Sequence, residues 1–258
     1  MKNKKWLILG SAVAALLVIV CLAPFLYVLV NSVLTGDGFT LMYYYDVFLA
    51  SPQYLLRFWL SVGLALAIAL GQVIISTLAG YGFAKCMFPG RNVIFFFLMV
   101  LMILPLQVTL VPNYIVLDKL GFLDTYKSLI LPAIFIPLGT FIMTQGFRTI
   151  PNEIIDAAKV DGCKTLPIIV QVALPMNKSG LICTLLLSFL DGWNMVEQPI
   201  AYIKDFDRWP LSVSLASTLP ANPTVRLVCC VLAIIPPLFL FVYYNRELVE
   251  GITLGKEI

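Results

Sequence analysis

The chain has 258 residues, 60% of them hydrophobic and 12% charged, with a formal net charge of +3. A soluble domain carries about 25% charged residues, and the polar residues here are too few to cover a core, which excludes a soluble globule and marks an integral membrane protein. Histidine is absent, which excludes histidine triads, proton relays and histidine-ligated metal sites, and the small net charge gives no basis for nucleic-acid binding.

Lys2, Lys4 and Lys5 precede an uncharged run from Trp6 to Gly36. The basic start and the small residues at 11–14 resemble a signal peptide, but the apolar stretch continues through Val30, too long for one. It reads as an uncleaved first span, about 6–31, with a kink expected at Pro24. Thr35 to Leu56 reads as a loop. The second span, about 58–84, is uncharged between Arg57 and Lys85. Along it Ser61, Ala65, Ala69, Ser76 and Gly80 recur at helical spacing. Small residues on one stripe in lipid mark a helix–helix contact, read here as packing within the chain rather than a dimer face.

Lys85 to Arg91 is a short basic turn. The third span, about 92–117, contains Pro105, Gln107, Pro112 and Asn113. Its prolines predict a broken helix whose freed carbonyls need partners. The fourth span, about 128–147, contains Pro132 and Pro137. The fifth, about 179–203, carries Asp191, Trp193, Asn194 and Glu197. Spacings of three place Asp191, Asn194 and Glu197 on adjacent parts of one helical face. Charges at this depth cost about 2.5–3.5 kcal/mol each, so this face should meet a cavity or partners. The loop 204–223 ends in a turn-forming run from Leu219 to Pro223, and a sixth span, about 225–244, leads to a polar tail, 245–258. The expected fold is all-α: one polytopic domain over 1–258 with six transmembrane helices. The six cysteines, with no Cys-x-x-Cys, read as small buried hydrophobes.

The loop 148–178 lies between two spans and is neither Gly/Ser-rich nor a charge run. A structureless loop of that length is uncommon unless it is functional. Asn152 can cap a short helix from about Glu153 to Val160, with Glu153 and Asp156 near its positive end. Gly162 suits a left-handed stop. Thr165 can cap a second helix with Pro167 in its first turn, and Pro175 ends that pattern or begins the next. Ile154, Ile155 and Ala158 share a face, with Ala157 beside them. Small residues there let another surface approach closely, and so short a helix needs a partner to pack on. The pattern alone leaves open a helix lying on the membrane surface.

Asp156-Ala157-Ala158, three residues, Gly162, nine residues, then Val172-Ala173-Leu174-Pro175 resembles the Glu-Ala-Ala loop of ATP-binding-cassette (ABC) importer permeases. Asp156 stands where that family has Glu, and Val172 where it has Ile. Pro151, Glu153, Ala157-Ala158 and Asp161-Gly162 are similar to the version in sugar-importer permeases of the maltose-permease type. So are Tyr81, Phe83-Ala84-Lys85, Phe88 and Gly90, the Trp193-Asn194…Pro199 run, and the tail Gly251…Gly255-Lys256, where Lys256 sits one residue early. The resemblance implies a type I ABC importer permease fold. It implies that Glu153, Asp156, Ala157, Ala158, Asp161, Gly162 and Pro175 belong to a coupling loop that docks in a cleft of an ATPase subunit. The partners implied are a second permease, two ABC ATPases, an extracytoplasmic solute-binding protein, membrane lipid and a carbohydrate. The implied location is a bacterial-type plasma membrane.

With the N-terminus inside, eleven basic residues fall on inner segments: Lys2, Lys4, Lys5, Lys85, Arg91, Arg148, Lys159, Lys164, Lys178, Arg246 and Lys256. Six fall outside: Arg57, Lys119, Lys127, Lys204, Arg208 and Arg226. The excess predicts cytoplasmic termini and a cytoplasmic 148–178 loop. Gly251-x-x-x-Gly255-Lys256-Glu257 fails as a phosphate-binding loop: it has three residues rather than four between the glycines, and no Ser or Thr after the lysine. ATP and its Mg are therefore expected on partner subunits, with no cofactor, metal or catalytic residue in this chain. Gln107, Asn113, Asp191, Trp193, Asn194 and Glu197 are the candidates for a polar pathway, with Trp193 and Asn194 alternatively gluing helices or walling a gate. A secondary carrier driven by an ion gradient through Asp191 or Glu197 would ordinarily show inverted repeats, which the sequence lacks. An ABC permease for another polar solute, such as a polyol or glycerol phosphate, stays open.

Overall fold

The computed structural model describes residues 2–35, 38–47, 52–217 and 223–253. They fall into two compact units, Met1–Leu56 with Ser214–Ile235, and Arg57–Val213 with Pro236–Ile258.

In the first unit, helix α1 (Lys2–Val33) runs without interruption through Pro24. From Val13 to Asn31 none of its residues is buried, and Leu16, Leu17, Ile19 and Val20 point outward, as a lipid-facing helix requires. A two-stranded antiparallel ribbon follows, pairing Leu34 with Phe39 and Thr35 with Gly38. The Ser32 and Tyr44 hydroxyls meet at 2.7 Å, tying α1 to the short helix α2 (Met42–Tyr45). The Tyr54 hydroxyl donates to the Cys229 carbonyl at 3.3 Å. Loop residues 36–37, 48–51 and 218–222 lie outside the described residues, as do Gly255 and Lys256 of the tail.

Helix α3 (Pro52–Lys85) is the long second span. Its small-residue stripe is buried within the second unit, with Ser61, Ala65, Ala69 and Ser76 almost without exposure. A methyl group on Gly80 would stand 2.7 Å from the Met143 Cβ, so the stripe serves close packing inside the chain. The third span breaks as its proline predicts. Helix α4 (Arg91–Leu101) and helix α5 (Leu106–Lys119) meet at 106° around Pro105, while Pro112 is carried inside α5. The fourth span is α6 (Lys127–Ile134) and α7 (Pro137–Arg148). At their joint Gln72 donates to the Ile136 carbonyl at 3.1 Å, supplying a partner to a carbonyl at the break ahead of Pro137.

Helix α8 (Asn152–Val160) opens the next loop. Helix α9 (Thr165–Met176) follows and meets α10 (Lys178–Trp193) at 89°. The fifth span departs from expectation: it is not one helix over 179–203. It stops at Trp193 and resumes as α11 (Glu197–Tyr202) after an irregular step at 194–196. Pro199 has no N–H to offer the Met195 carbonyl, and the Ser212 hydroxyl donates to that carbonyl instead, at 2.5 Å.

The stretch expected to be a loop, 204–223, contains a 3-10 turn at Phe206–Arg208 and helix α12 (Leu211–Ser217). Leu211 and Val213 are buried, and Ser61 Oγ accepts from the Leu211 N–H at 2.7 Å. Tertiary burial thus makes a helix of a segment too short to announce itself. Helix α13 (Pro223–Thr253) passes Pro236 and Pro237 and bends at Tyr244 (φ −113°, ψ 19°), where the sixth span was expected to end. The tail continues as helix to Thr253.

Among the described residues four helices are long and apolar enough to cross a membrane, and six crossings result if each of the two bent pairs counts as one. Two apolar cores lie within the second unit. One gathers Leu64, Ile68, Leu117, Leu129, Tyr202 and Trp209. The other gathers Tyr81, Met143, Phe147, Ile155, Ile168 and Ile169. The cysteines are free, but Cys21, Cys86 and Cys163 are exposed and only Cys183 and Cys229 fully buried. Half of the set therefore departs from the buried-hydrophobe expectation: Cys86 and Cys163 stand in loops, and Cys21 is on the outward surface of α1.

Candidate functional site

The first candidate surface is built by α8. Ile155 and Ala158 turn inward, 2% and 8% exposed, and pack with Tyr81, Phe147, Ile150, Ile168 and Ile169. Glu153, Ile154, Asp156, Ala157 and Val160 face out. The sequence reading grouped Ile154, Ile155 and Ala158 as one face; the structure instead uses Ile155 and Ala158 as the anchor and leaves Ala157 on the open side. Lys159 donates to Asp156 Oδ1 at 2.8 Å. That bond lifts the Lys159 ammonium above its ordinary range.

Asn152 does not cap α8. Pro151 occupies the cap position without a side-chain bond, and Asn152 Oδ1 accepts from Lys85 Nζ at 2.9 Å. The same ammonium donates to the Ile150 carbonyl at 2.5 Å. Lys85 thereby ties the end of α3 to the start of α8. Sequence reasoning counted Lys85 among the inner basic residues and in a family pattern but gave it no contact; the signal was its place one turn beyond Tyr81.

The far end of α8 follows the glycine. Gly162 has φ +83°; its N–H reaches the Lys159 carbonyl and the Cys163 N–H reaches the Ala158 carbonyl, both at 3.0 Å. This six-to-one and five-to-two pairing is the Schellman stop, which satisfies the last carbonyls of the helix. Asp161 sits at the C-cap, exposed.

Thr165 is not the cap of α9: Lys164, extended at ψ 162°, precedes the helix, and Thr165 is its first residue. From Ile168 to Ala173 the helix widens into a π turn. An α-helical Pro175 would press on the Gln171 carbonyl, and the wider turn relieves that clash. Pro175 lies inside α9, and the chain turns two residues later, at Asn177. That side chain is 4% exposed and fills the space left by two glycines. A methyl on Gly146 would sit 2.0 Å from Asn177 Oδ1, and one on Gly180 2.4 Å. Sequence reading missed this corner, since nothing local distinguishes these glycines.

The second candidate surface is a cavity of about 410 Å³ lined by Leu106, Ile136, Asp191, Asn194, Met195, Val196, Glu197 and Gln198. Gln107 Nε2 donates to Glu197 Oε1 at 2.9 Å, which brings the third and fifth spans together there. An adjoining hollow of about 590 Å³ shares Leu106, Ile136, Met195 and Gln198 and extends to Asn113 and Tyr202. Five of the six candidates, Gln107, Asn113, Asp191, Asn194 and Glu197, therefore converge. The irregular step at 194–196, rather than one helical face, produces the convergence. Trp193 does not join them. It is 5% exposed, stacked on Phe189 at 5.9 Å and edge-on to Phe58 at 5.7 Å, where it glues α10 to α3.

Residues 72–248 match the family model described as binding-protein-dependent transport system inner membrane component. The chain is 30% identical over 227 residues to an arabinooligosaccharides transport system permease protein, AraQ, of Halalkalibacterium halodurans, covering 87% of this chain and 80% of that protein. It is 32% identical over 202 residues to the sn-glycerol-3-phosphate transport system permease protein UgpE of Brucella melitensis, covering 75% and 71%. In fold it is similar to a chain from the crystal structure of a bacterial ABC transporter involved in the import of the acidic polysaccharide alginate, with TM-score 0.86, 18% identity and coverage of 95% and 97%. With a matched segment that takes in α8, the glycine stop and the cavity, the chain belongs to the family of binding-protein-dependent transport system inner membrane components, the permeases of ABC importers.

Proposed function

We propose that this chain is one of two permease subunits of an ATP-driven carbohydrate importer, with both termini and the 148–178 loop in the cytoplasm. It lines part of the pathway with the cavity around Asn194 and Glu197, and it couples to the motor through α8. ATP and Mg reside on two ABC ATPase subunits, and an external solute-binding protein delivers the sugar. The observation that carries this reading is the build of α8. It is a short helix anchored by Ile155 and Ala158 and stopped by Gly162, and it leaves Glu153, Ile154, Asp156, Ala157 and Val160 uncovered. So short a helix is marginal alone, and here one face is already held by the permease, so the other is free to receive a partner. Closure of the ATPase dimer would move α8, and α9 would carry that motion through the Asn177 corner to α10, whose end borders the cavity.

Carbohydrate suits a cavity in which Leu106, Ile136, Met195 and Val196 form an apolar wall and Asp191, Asn194, Glu197 and Gln198 supply groups that hydrogen-bond hydroxyls. The test is uptake in vesicles containing the full complex and its binding protein. Uptake of a neutral oligosaccharide should require ATP inside and be indifferent to ionophores. Gly162→Asp, at a position with open space around it but positive φ, strains the stop by about 1–2 kcal/mol. It should leave the subunit inserted while ATP hydrolysis and uptake part company. Uptake abolished by an ionophore, or normal coupling in Gly162→Asp, would sink the reading.

A further inference from the structure

The cavity that gathers Asn194 and Gln198 carries charge of one sign. Of its lining residues Asp191 and Glu197 are acidic and none is basic, and the adjoining hollow adds neither acid nor base. Helix α5 begins at this wall: Leu106, its first residue, lines the cavity, and Pro105 precedes it without a side-chain cap. The start of a 14-residue helix has unpaired N–H groups and a partial positive charge, so it would ordinarily favour a phosphate or carboxylate. Here a side chain of that first turn already holds an anion of the chain's own. Gln107, second in α5, holds the Glu197 carboxylate at 2.9 Å. Glu197 reaches it because α10 stops at Trp193 and the chain restarts at α11.

We infer that Glu197, positioned by Gln107 at the head of α5, makes this face of the pathway a filter against anions, so that the transported class is neutral polyhydroxy solutes. The inference rests on the cavity being part of the pathway, and it narrows the carbohydrate reading to uncharged sugars. The cargo named for two similar proteins, glycerol 3-phosphate and alginate, is anionic. A phosphate or uronate entering here would meet two carboxylates, with no basic side chain in the lining and only the partial charges of the helix starts at Leu106 and Pro137 to offset them. Neutral hydroxyls can donate to the carboxylates and can both donate to and accept from the carboxamides.

The test uses the assembled transporter with its native cysteines replaced and Asn194→Cys introduced as a thiol in the cavity. Its reaction with a cationic and an anionic alkyl methanethiosulfonate is measured, each rate divided by that for a free thiol. The cationic reagent should be favoured on the order of tenfold, since nearby carboxylates attract one and repel the other. Glu197→Gln should lower that preference about fivefold, and Glu197→Lys should reverse it. A ratio near one with Glu197 present, or a ratio that neither substitution moves, overturns the filter. Failure of both reagents to react in every variant overturns the filter together with the pathway it stands on. Uptake of arabinotriose against its aldonic acid separates this from the carbohydrate reading. The acid carried as well as the sugar defeats the filter alone. Neither carried, with the charge preference intact, defeats the carbohydrate reading alone.

Discussion

Gly146 has no room for a side chain. Its missing Cβ is the space in which the Asn177 carboxamide lies, and Gly180 yields the rest. Asn177 is nearly fully buried at the turn between α9 and α10 and points its Nδ2 at Met143 Sδ, 3.8 Å away. Gly146→Ala must displace that side chain from a packed corner, and overpacking of this kind costs about 1–3 kcal/mol. The expected result is a lower melting temperature of the purified transporter, with weaker coupling of hydrolysis to uptake. Gly82→Ala is the matched control. It lies inside α3 with nothing within 4 Å of the added carbon, so it should stay within about 1 kcal/mol of the parent, on the stabilising side. Equal melting temperatures for all three proteins would show that the corner is loose.

Helix α8 divides its two alanines. Ala157 is exposed and Ala158 is 8% exposed against Phe147 and Ile168. A single cysteine at Ala157 should crosslink to the ATPase subunit within the assembled complex, and one at Ala158 should not. Comparable yields from both positions would mean that α8 leaves its seat on the permease when it docks. The π turn at Ile168–Ala173 matters at the same scale. It lies between α8 and the Asn177 corner along the chain, a stretch whose hydrogen bonds are already displaced from the α pattern.

For the molecule as a whole, the orientation in the membrane decides whether the two surfaces can serve one device. The Asp207 side chain is 92% exposed, and Asp161 is exposed at the end of α8. In intact cells an impermeant thiol reagent should reach a single cysteine at Asp207 and not one at Asp161. Permeabilisation should then expose Asp161. Labelling of Asp161 from outside would invert the topology and remove α8 from any cytoplasmic motor.

What the sequence determined by itself is whatever depends on local chemistry. Uncharged runs of span length became the long helices of 13–33, 53–85 and 223–251, because lipid forces a chain to close its backbone hydrogen bonds within the segment. Pro105 broke the third span, and Gly162 stopped α8 in the left-handed region, because those residues restrict their own backbone whatever surrounds them. The tertiary structure decided everything that turns on a competing partner. Asn152 had the chemistry of a cap, yet Lys85, 67 positions earlier, took its oxygen. The fifth span was expected to run through Pro199 to about residue 203. The Ser212 hydroxyl, brought in by a helix that sequence reading saw as loop, took the freed Met195 carbonyl and let the helix stop. Trp193 had the flat face a sugar could use, but Phe58 and Phe189 claimed it. Each outcome was set by which polar or aromatic group lay nearest in space, and distance along the chain carries no record of that.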